Sequence, residues 1–272
     1  PEAKQAILDT YKSSPDLARQ QFGDDPFELK NVLKYWVRSK NEDLHFIPTD
    51  TVHITLDKEA IRRSGMMIPE AYKDSLPDKM YIPITKRTLY KSELMMLEML
   101  ANTNWERPLY VAITVGSGNH MGLDPFFVQE GLAYRITPFD WRKFGYPQSV
   151  TQGYAVDSEK MFDNLMTKFK FGGVDNPEVY LDENIMRMAG THRRLFAILA
   201  GQLIKEGKTD KALQALEYCD KMIPGTTVPY DFQNSSLDLA KSYLSLGKEE
   251  QANVIFQAMA EKSLSYVRWY LS

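Results

Sequence analysis

The chain has 272 residues, 43% of them hydrophobic, with a formal net charge of −3 at neutral pH. That length suits about two globular domains, and the charge balance argues against a nucleic-acid binder, which should be basic on at least one face. No apolar run approaches the ~20 residues of a membrane helix and no signal peptide is visible; the single cysteine, Cys219, excludes an internal disulfide and a cysteine-rich metal site.

Pro1 is not a natural start, so the chain is expected to be processed or cut from something longer. The N-terminal stretch reads as helices. Ile7, Leu8 and Tyr11 make one apolar stripe; Leu17, Ala18 and Phe22 follow Pro15. Gly23-Asp-Asp-Pro26 reads as a turn in which Asp25 caps a helix that opens at Pro26. Phe27, Leu29, Val32, Leu33, Trp36 and Val37 supply that helix with a core face. The period then changes. Val52, Ile54 and Leu56 alternate with His53 and Thr55, which predicts a half-buried strand with His53 on its solvated side. Asp57 is placed to cap a short helix that Gly65 ends. Met80-Tyr-Ile-Pro-Ile84 predicts a second strand, which Pro83 demotes to an edge or a bulge. Leu94, Met95, Leu97, Met99 and Leu100 predict a helix buried on nearly all sides. Pro108-Leu-Tyr-Val-Ala-Ile-Thr-Val115 is the strongest strand signal, apolar enough to be covered on both faces and to centre a mixed sheet. Residues 132–139 give a fourth strand, and Trp141, Phe144, Tyr146 and Pro147 an aromatic loop. Asp157 and Asp182 each open a helix.

From Arg193 on, the pattern repeats at an offset of forty residues. Phe196, Leu199, Ala200, Leu203, Gly207, Ala212, Leu216, Cys219 and Pro224 stand where a tetratricopeptide repeat places its apolar residues, its inter-helix glycine and its closing proline. Leu239, Ala240, Tyr243, Gly247, Ala252, Phe256 and Met259 follow in the same order. Small residues such as Ala200 and Ala212 let paired helices approach closely. A last helix is expected over residues 264–271, with Val267 and Leu271 on its packing face. The fold class is therefore α+β: a mixed α/β domain with a small sheet over residues 1–150, and a helical, tetratricopeptide-like repeat domain over 151–272.

Candidate chemistry is sparse. Val115-Gly-Ser-Gly-Asn-His-Met-Gly122 follows a strand and precedes a predicted helix, but its spacing is neither the dinucleotide fingerprint nor the P-loop. The simpler reading is a tight strand-to-helix turn in which Gly116 and Gly118 supply backbone freedom. Within it, Asn119 and His120 are candidates to face a ligand. The four histidines show no zinc-like spacing, so no metal site and no cofactor are expected. Glu106 and Arg107 either tie down a loop plugged by Trp105 or form a polar pocket at a strand's entrance. Glu130 is a candidate acid or base, for instance if His120 meets it. The rings of Trp141, Phe144 and Tyr146 are candidates to stack on a sugar.

Several segments together resemble one family: Phe46-Ile-Pro-Thr49, Val52-His-Ile-Thr-Leu-Asp57-Lys-Glu59, Tyr90-Lys-Ser-Glu-Leu-Met-Met-Leu97, Leu100-Ala-Asn-Thr-Asn-Trp-Glu-Arg-Pro-Leu-Tyr110, Gln129-Glu-Gly-Leu-Ala-Tyr-Arg135, Asp163-Asn-Leu-Met166 and Tyr180-Leu-Asp-Glu-Asn184. From Phe27 onward the chain is similar to the C-terminal region of large Bacteroidetes membrane proteins that resemble protein O-mannosyltransferases, glycosyltransferase family 117. The resemblance implies a soluble piece on the periplasmic face of an enzyme that moves a sugar from a lipid carrier onto protein. Its catalytic carboxylate would lie in the membrane part, so no catalytic residue is carried over onto this chain. The implied partners are the membrane-embedded part of the same polypeptide and an acceptor protein or glycan, with no nucleic acid. The alternatives are a carbohydrate-binding module, a free-standing periplasmic enzyme, or a cytoplasmic location.

Overall fold

A computed structural model describes residues 2–149 and 151–271; Pro1, on which the expectation of processing rests, lies outside them. The fold is α+β, and the described residues divide into two compact units. One runs to Gln129 and resumes over Ala133–Ala155; the other joins Glu130–Leu132 to the chain from Val156 onward.

The first unit opens with α1 (Glu2–Ser13) packed on α2 (Pro15–Phe22). Helix α3 (Leu29–Val32) widens into a π-turn over Leu33–Val37, and Trp36 stacks on Phe22 at 5.5 Å. The helix expected from Pro26 thus begins three residues later, and Asp25 does not cap it. The reason lies in β1 (Thr51–Thr55), which pairs antiparallel with β2 (Lys79–Pro83) so that His53 stands opposite Tyr81. The other edge of β1 takes its partners from residues 25–28. The His53 N–H donates to the Phe27 carbonyl at 3.1 Å, and the Thr55 N–H donates to the Glu28 carboxylate at 3.0 Å. Backbone drawn into that pairing is not free to wind into a helix.

Asp57 caps α4 (Lys58–Arg63) by accepting the Ala60 N–H at 2.9 Å. Helix α5 (Lys91–Asn102) buries Leu97, Leu100 and Ala101 but exposes Met95 and Met99, so it is amphipathic and not sunk on all sides. A second sheet holds β3 (Tyr110–Ala112), β4 (Phe127–Gln129), β5 (Ala133–Ile136) and β6 (Ala155–Val156) in the order β3-β5-β4-β6, with β5 antiparallel to both neighbours. The expected central strand is therefore an edge. Only three of its residues pair, Tyr110 is 46% exposed, and the chain turns as the Val115 N–H closes on the Ala112 carbonyl at 3.0 Å. The central place goes to β5. The glycine loop leads through short 3-10 turns at Ser117–Asn119 and Asp124–Phe126 into β4, not into a helix. Its positive φ falls on Met121 (+56°) and Gly122 (+73°), not on Gly116 or Gly118.

The second unit is helical: α6 (Ser158–Asp163), α7 (Glu183–Lys205), α8 (Thr209–Met222), α9 (Ser236–Ser245) and α10 (Glu249–Leu271). Asp157 and Asp182 cap α6 and α7 through the Lys160 and Ile185 N–H groups. Helix α7 packs on α8 and α9, and α9 on α10. Leu199, Ala200, Leu203, Ala212, Leu216, Leu239, Ala240, Tyr243 and Ala252 are all buried. Phe256 is only half-buried; its neighbour Ile255 takes the buried position. Helices α7 and α9 end in the same way. The Lys208 and Lys248 N–H groups reach back to the Leu203 and Tyr243 carbonyls at 2.9 Å, around Gly207 and Gly247 at φ of +73° and +72°. This is the Schellman arrangement, which needs a left-handed residue at its corner. The last segment differs from expectation: residues 264–271 continue α10 without a break, and Val267 and Leu271 are exposed.

Arg193 is fully buried on α7. Its guanidinium donates to the carbonyls of Ile223 (2.9 Å), Val228 (2.6 Å) and Pro229 (3.3 Å) and lies over the Tyr230 ring at 4.7 Å. Burial pulls its pKa below the usual value, and burial pushes that of the nearby Asp220 up, while the Tyr243 hydroxyl donates to Asp220 at 2.5 Å. The guanidinium thereby pins the connection between α8 and α9. Arg193→Met is expected to lower unfolding free energy by about 2–4 kcal/mol, because the buried carbonyls of Ile223 and Val228 lose a charged donor. Gly247→Ala is expected to cost about 1 kcal/mol through the left-handed corner alone, since open space surrounds the added methyl. Urea denaturation of both variants checks the two values.

Candidate functional site

The turn that completes the edge of β1 also carries two carboxylates onto its buried histidine. His53 Nε2 lies 2.8 Å from Asp25 Oδ2 and 3.8 Å from Glu28 Oε2. Lys79, from the first position of β2, places its Nζ 2.7 Å from Asp25 Oδ2 and 3.0 Å from His53 Nε2. Glu28 is held from behind by the Thr55 N–H at 3.0 Å and the Thr55 hydroxyl at 2.8 Å. The Tyr81 ring stands 5.7 Å from the His53 ring. His53 is 8% exposed, so the expectation of a solvated histidine fails: the 25–28 turn covers the face that alternation alone assigns to water.

The electrostatics of the cluster follow from this geometry. Burial pushes the Asp25 carboxyl up, but hydrogen bonds and charge from Lys79 and His53 together outweigh it and hold the carboxyl below its ordinary value. The hydrogen bond to Asp25 holds Lys79 above its ordinary value, against its own desolvation. Asp25, Glu28 and His53 each offer one ligand atom, and these atoms lie within 4.8 Å of one another. One imidazole and two carboxylates suit a divalent cation, and an imidazole beside a carboxylate also suits proton transfer.

The residues singled out from sequence are mostly used by the fold. His120 is buried, with its ring nitrogens 2.8 Å from Asp124 Oδ1 and 3.1 Å from the Val115 carbonyl; Asp124 also accepts the Tyr154 hydroxyl at 2.7 Å. Glu130 pairs with Lys160 at 3.2 Å, so the partner of His120 is Asp124 and not Glu130. Trp141 is 1% exposed and donates its indole N–H to the Thr137 hydroxyl at 2.9 Å. Phe144 and Tyr146 meet it edge-on at 6.0 and 5.7 Å, so these rings pack on one another, and Trp141 keeps no face for a sugar. Glu106, Arg107 and Asn119 are exposed on loops, outside the cluster. The sequence reading missed Asp25, Glu28, His53 and Lys79 as a group. The available signal was the Asp25-to-Glu28 spacing, one turn apart, before a strand with a lone histidine.

Residues 3–160, more than half of the chain, match the family described as TMEM260-associated domain 2. No curated protein and no solved structure matches the chain.

The Asp25–Lys79 pair gives a pH signature. A carboxyl with a lowered folded pKa contributes stability above its unfolded value of about 3.9, lost as pH falls through the folded one; an ammonium with a raised pKa contributes below about 10.4, lost as pH rises through its folded value. Lys79→Ala is therefore expected to lower stability by about 0.5–1 kcal/mol between those limits, with the difference from the parent vanishing in acid once Asp25 is protonated in the folded state as well. Denaturant unfolding across pH checks this, and carbon-detected titration of Asp25 should show its pKa rising in the variant.

Proposed function

The chain belongs to the TMEM260-associated domain 2 family, a family tied to O-mannosyltransferase-like membrane proteins, and from that premise we propose that it is a non-catalytic, extracytoplasmic domain of such a protein. It supports the membrane-embedded part of the same polypeptide or holds the acceptor protein. The finer placement is among the large Bacteroidetes proteins of glycosyltransferase family 117, on the periplasmic face. The family match carries this reading. Three features favour a packing and binding role over chemistry. The residues first considered for catalysis, His120 and Glu130, are consumed by structural partners. The helical part ends two helices with the same glycine-cornered motif, as tetratricopeptide-like arrays do, and such arrays bind proteins. Helix α10 also presents Leu264, Tyr266, Trp269 and Tyr270 to solvent near its end, side chains of the kind that anchor protein contacts. Among the described residues no helix is long and apolar enough to cross a membrane.

The test has two arms. The purified chain, given a lipid-linked mannose donor and an acceptor peptide, is expected to transfer no sugar. The whole membrane protein carrying Trp269→Ala and Tyr270→Ala is expected to be made at normal levels but to modify its acceptors less. Sugar transfer by the chain alone would overturn the reading, as would full acceptor modification by a membrane protein from which this chain has been deleted.

A further inference from the structure

We propose that Asp25, Glu28 and His53 form a binding site for a divalent transition-metal ion of the zinc class, and that Lys79 is the cation this ion displaces. The argument starts from the triangle of Asp25 Oδ2, His53 Nε2 and Lys79 Nζ, whose edges are 2.8, 3.0 and 2.7 Å. Three hydrogen bonds along three edges cannot all form. The ammonium only donates and the ionised carboxylate only accepts, so the nitrogen of His53 decides the outcome. If Nε2 carries a proton for Asp25, it turns that N–H dipole and its missing lone pair against the Lys79 ammonium. If Nε2 accepts from Lys79, its lone pair faces the Asp25 oxygen at 2.8 Å. Either tautomer leaves one close edge repulsive. A metal ion removes the conflict, because imidazole nitrogen and carboxylate oxygen then both act as electron donors toward one centre.

The spacing fits a small tetrahedral ion. Bonds of about 2.0–2.1 Å put neighbouring ligand atoms roughly 3.3–3.4 Å apart. His53 Nε2 stands 2.8 Å from the Asp25 oxygen and 3.8 Å from the Glu28 oxygen, one on each side of that value. Shifts of about half an ångström would bring both His53 edges to it, within the reach of side-chain torsions, and all three ligand atoms already lie within 4.8 Å of one another. The ligands are also braced as metal ligands are. Thr55 holds the Glu28 carboxylate through its N–H and its hydroxyl, and the His53 backbone is fixed to Phe27. Lys79 can leave, because its side chain is one-third exposed and its long stem reaches solvent. One imidazole and two carboxylates favour zinc or cobalt over magnesium or calcium, which prefer all-oxygen shells. Three protein ligands leave a fourth position for water.

The probe is Zn2+ alone on the full chain, competed against a chromogenic chelator, with Co2+ absorption as a report on geometry. One equivalent should bind, and Co2+ should give the intense visible bands of a tetrahedral site. Lys79→Met should tighten binding by roughly tenfold, since it removes a competing charge at contact distance. Asp25→Asn and Glu28→Gln should each weaken binding by roughly tenfold or more; both positions are partly exposed, and far-UV circular dichroism will report whether the variants stay folded. Because His53 is buried, His53→Gln is read only alongside these two. The proposal is overturned if neither the parent nor Lys79→Met takes up Zn2+ at micromolar metal. It is equally overturned if binding persists unchanged in both carboxylate variants, or if Lys79→Met binds no more tightly than the parent.

Discussion

The outer edge of β1 must find hydrogen-bond partners, and the way it finds them arranges the N-terminal half of the molecule. A two-stranded ribbon has two open edges and marginal stability of its own. Here β2 covers one edge, and the Phe27 carbonyl and the Glu28 carboxylate serve the other. That arrangement delays α3, sets the turn after Gly23, and brings two acidic side chains over His53. The cluster is thus a by-product of backbone satisfaction: Glu28 and the His53 backbone are held by the same bonds that complete the sheet edge, while the Asp25 carboxylate is held by Lys79 and His53.

Two cations in this chain, Arg193 fully buried and Lys79 one-third exposed, show how surroundings decide between structure and function. Arg193 is enclosed by backbone carbonyls and an aromatic ring, with its two terminal nitrogens on fixed acceptors. Such a group is costly to bury, costly to remove, and has no route out. Lys79 sits against a carboxylate and an imidazole with a third of its side chain in solvent. Its charge is exchangeable for another cation of suitable size. The first organises the helical unit; the second leaves the other unit with a site whose occupant can change.

The loops that drew attention for their chemistry are largely spent on packing. His120 ties the glycine loop to Asp124 and Val115, and Trp141 fills the core beneath its own loop. Buried polar atoms need partners, and in a unit with short strands the loops supply them. Gln148 is the clearest case. Its side-chain amide donates to the carbonyls of Pro125 and Phe127 and accepts the Ala155 N–H, standing in for sheet bonds that the strands do not make.

The sequence by itself determined what rests on local periodicity and local backbone chemistry: the α+β class, the strands of the β1–β2 ribbon, the caps at Asp57, Asp157 and Asp182, and the repeated helix endings at Gly207 and Gly247. Each of these is settled within a few residues, by side-chain alternation, by an oxygen beside free N–H groups, or by a residue tolerant of positive φ. The tertiary structure alone decided which strand lies at the centre of the second sheet, that α5 keeps one face in water, that α10 runs on with its aromatics exposed, and that Asp25, Glu28, His53 and Lys79 meet. Those outcomes depend on residues up to 54 positions apart, such as Asp25 and Lys79, sharing one patch of space. Nothing in a short window encodes that proximity; it follows from which polar edges and apolar faces are left over once every local element has formed.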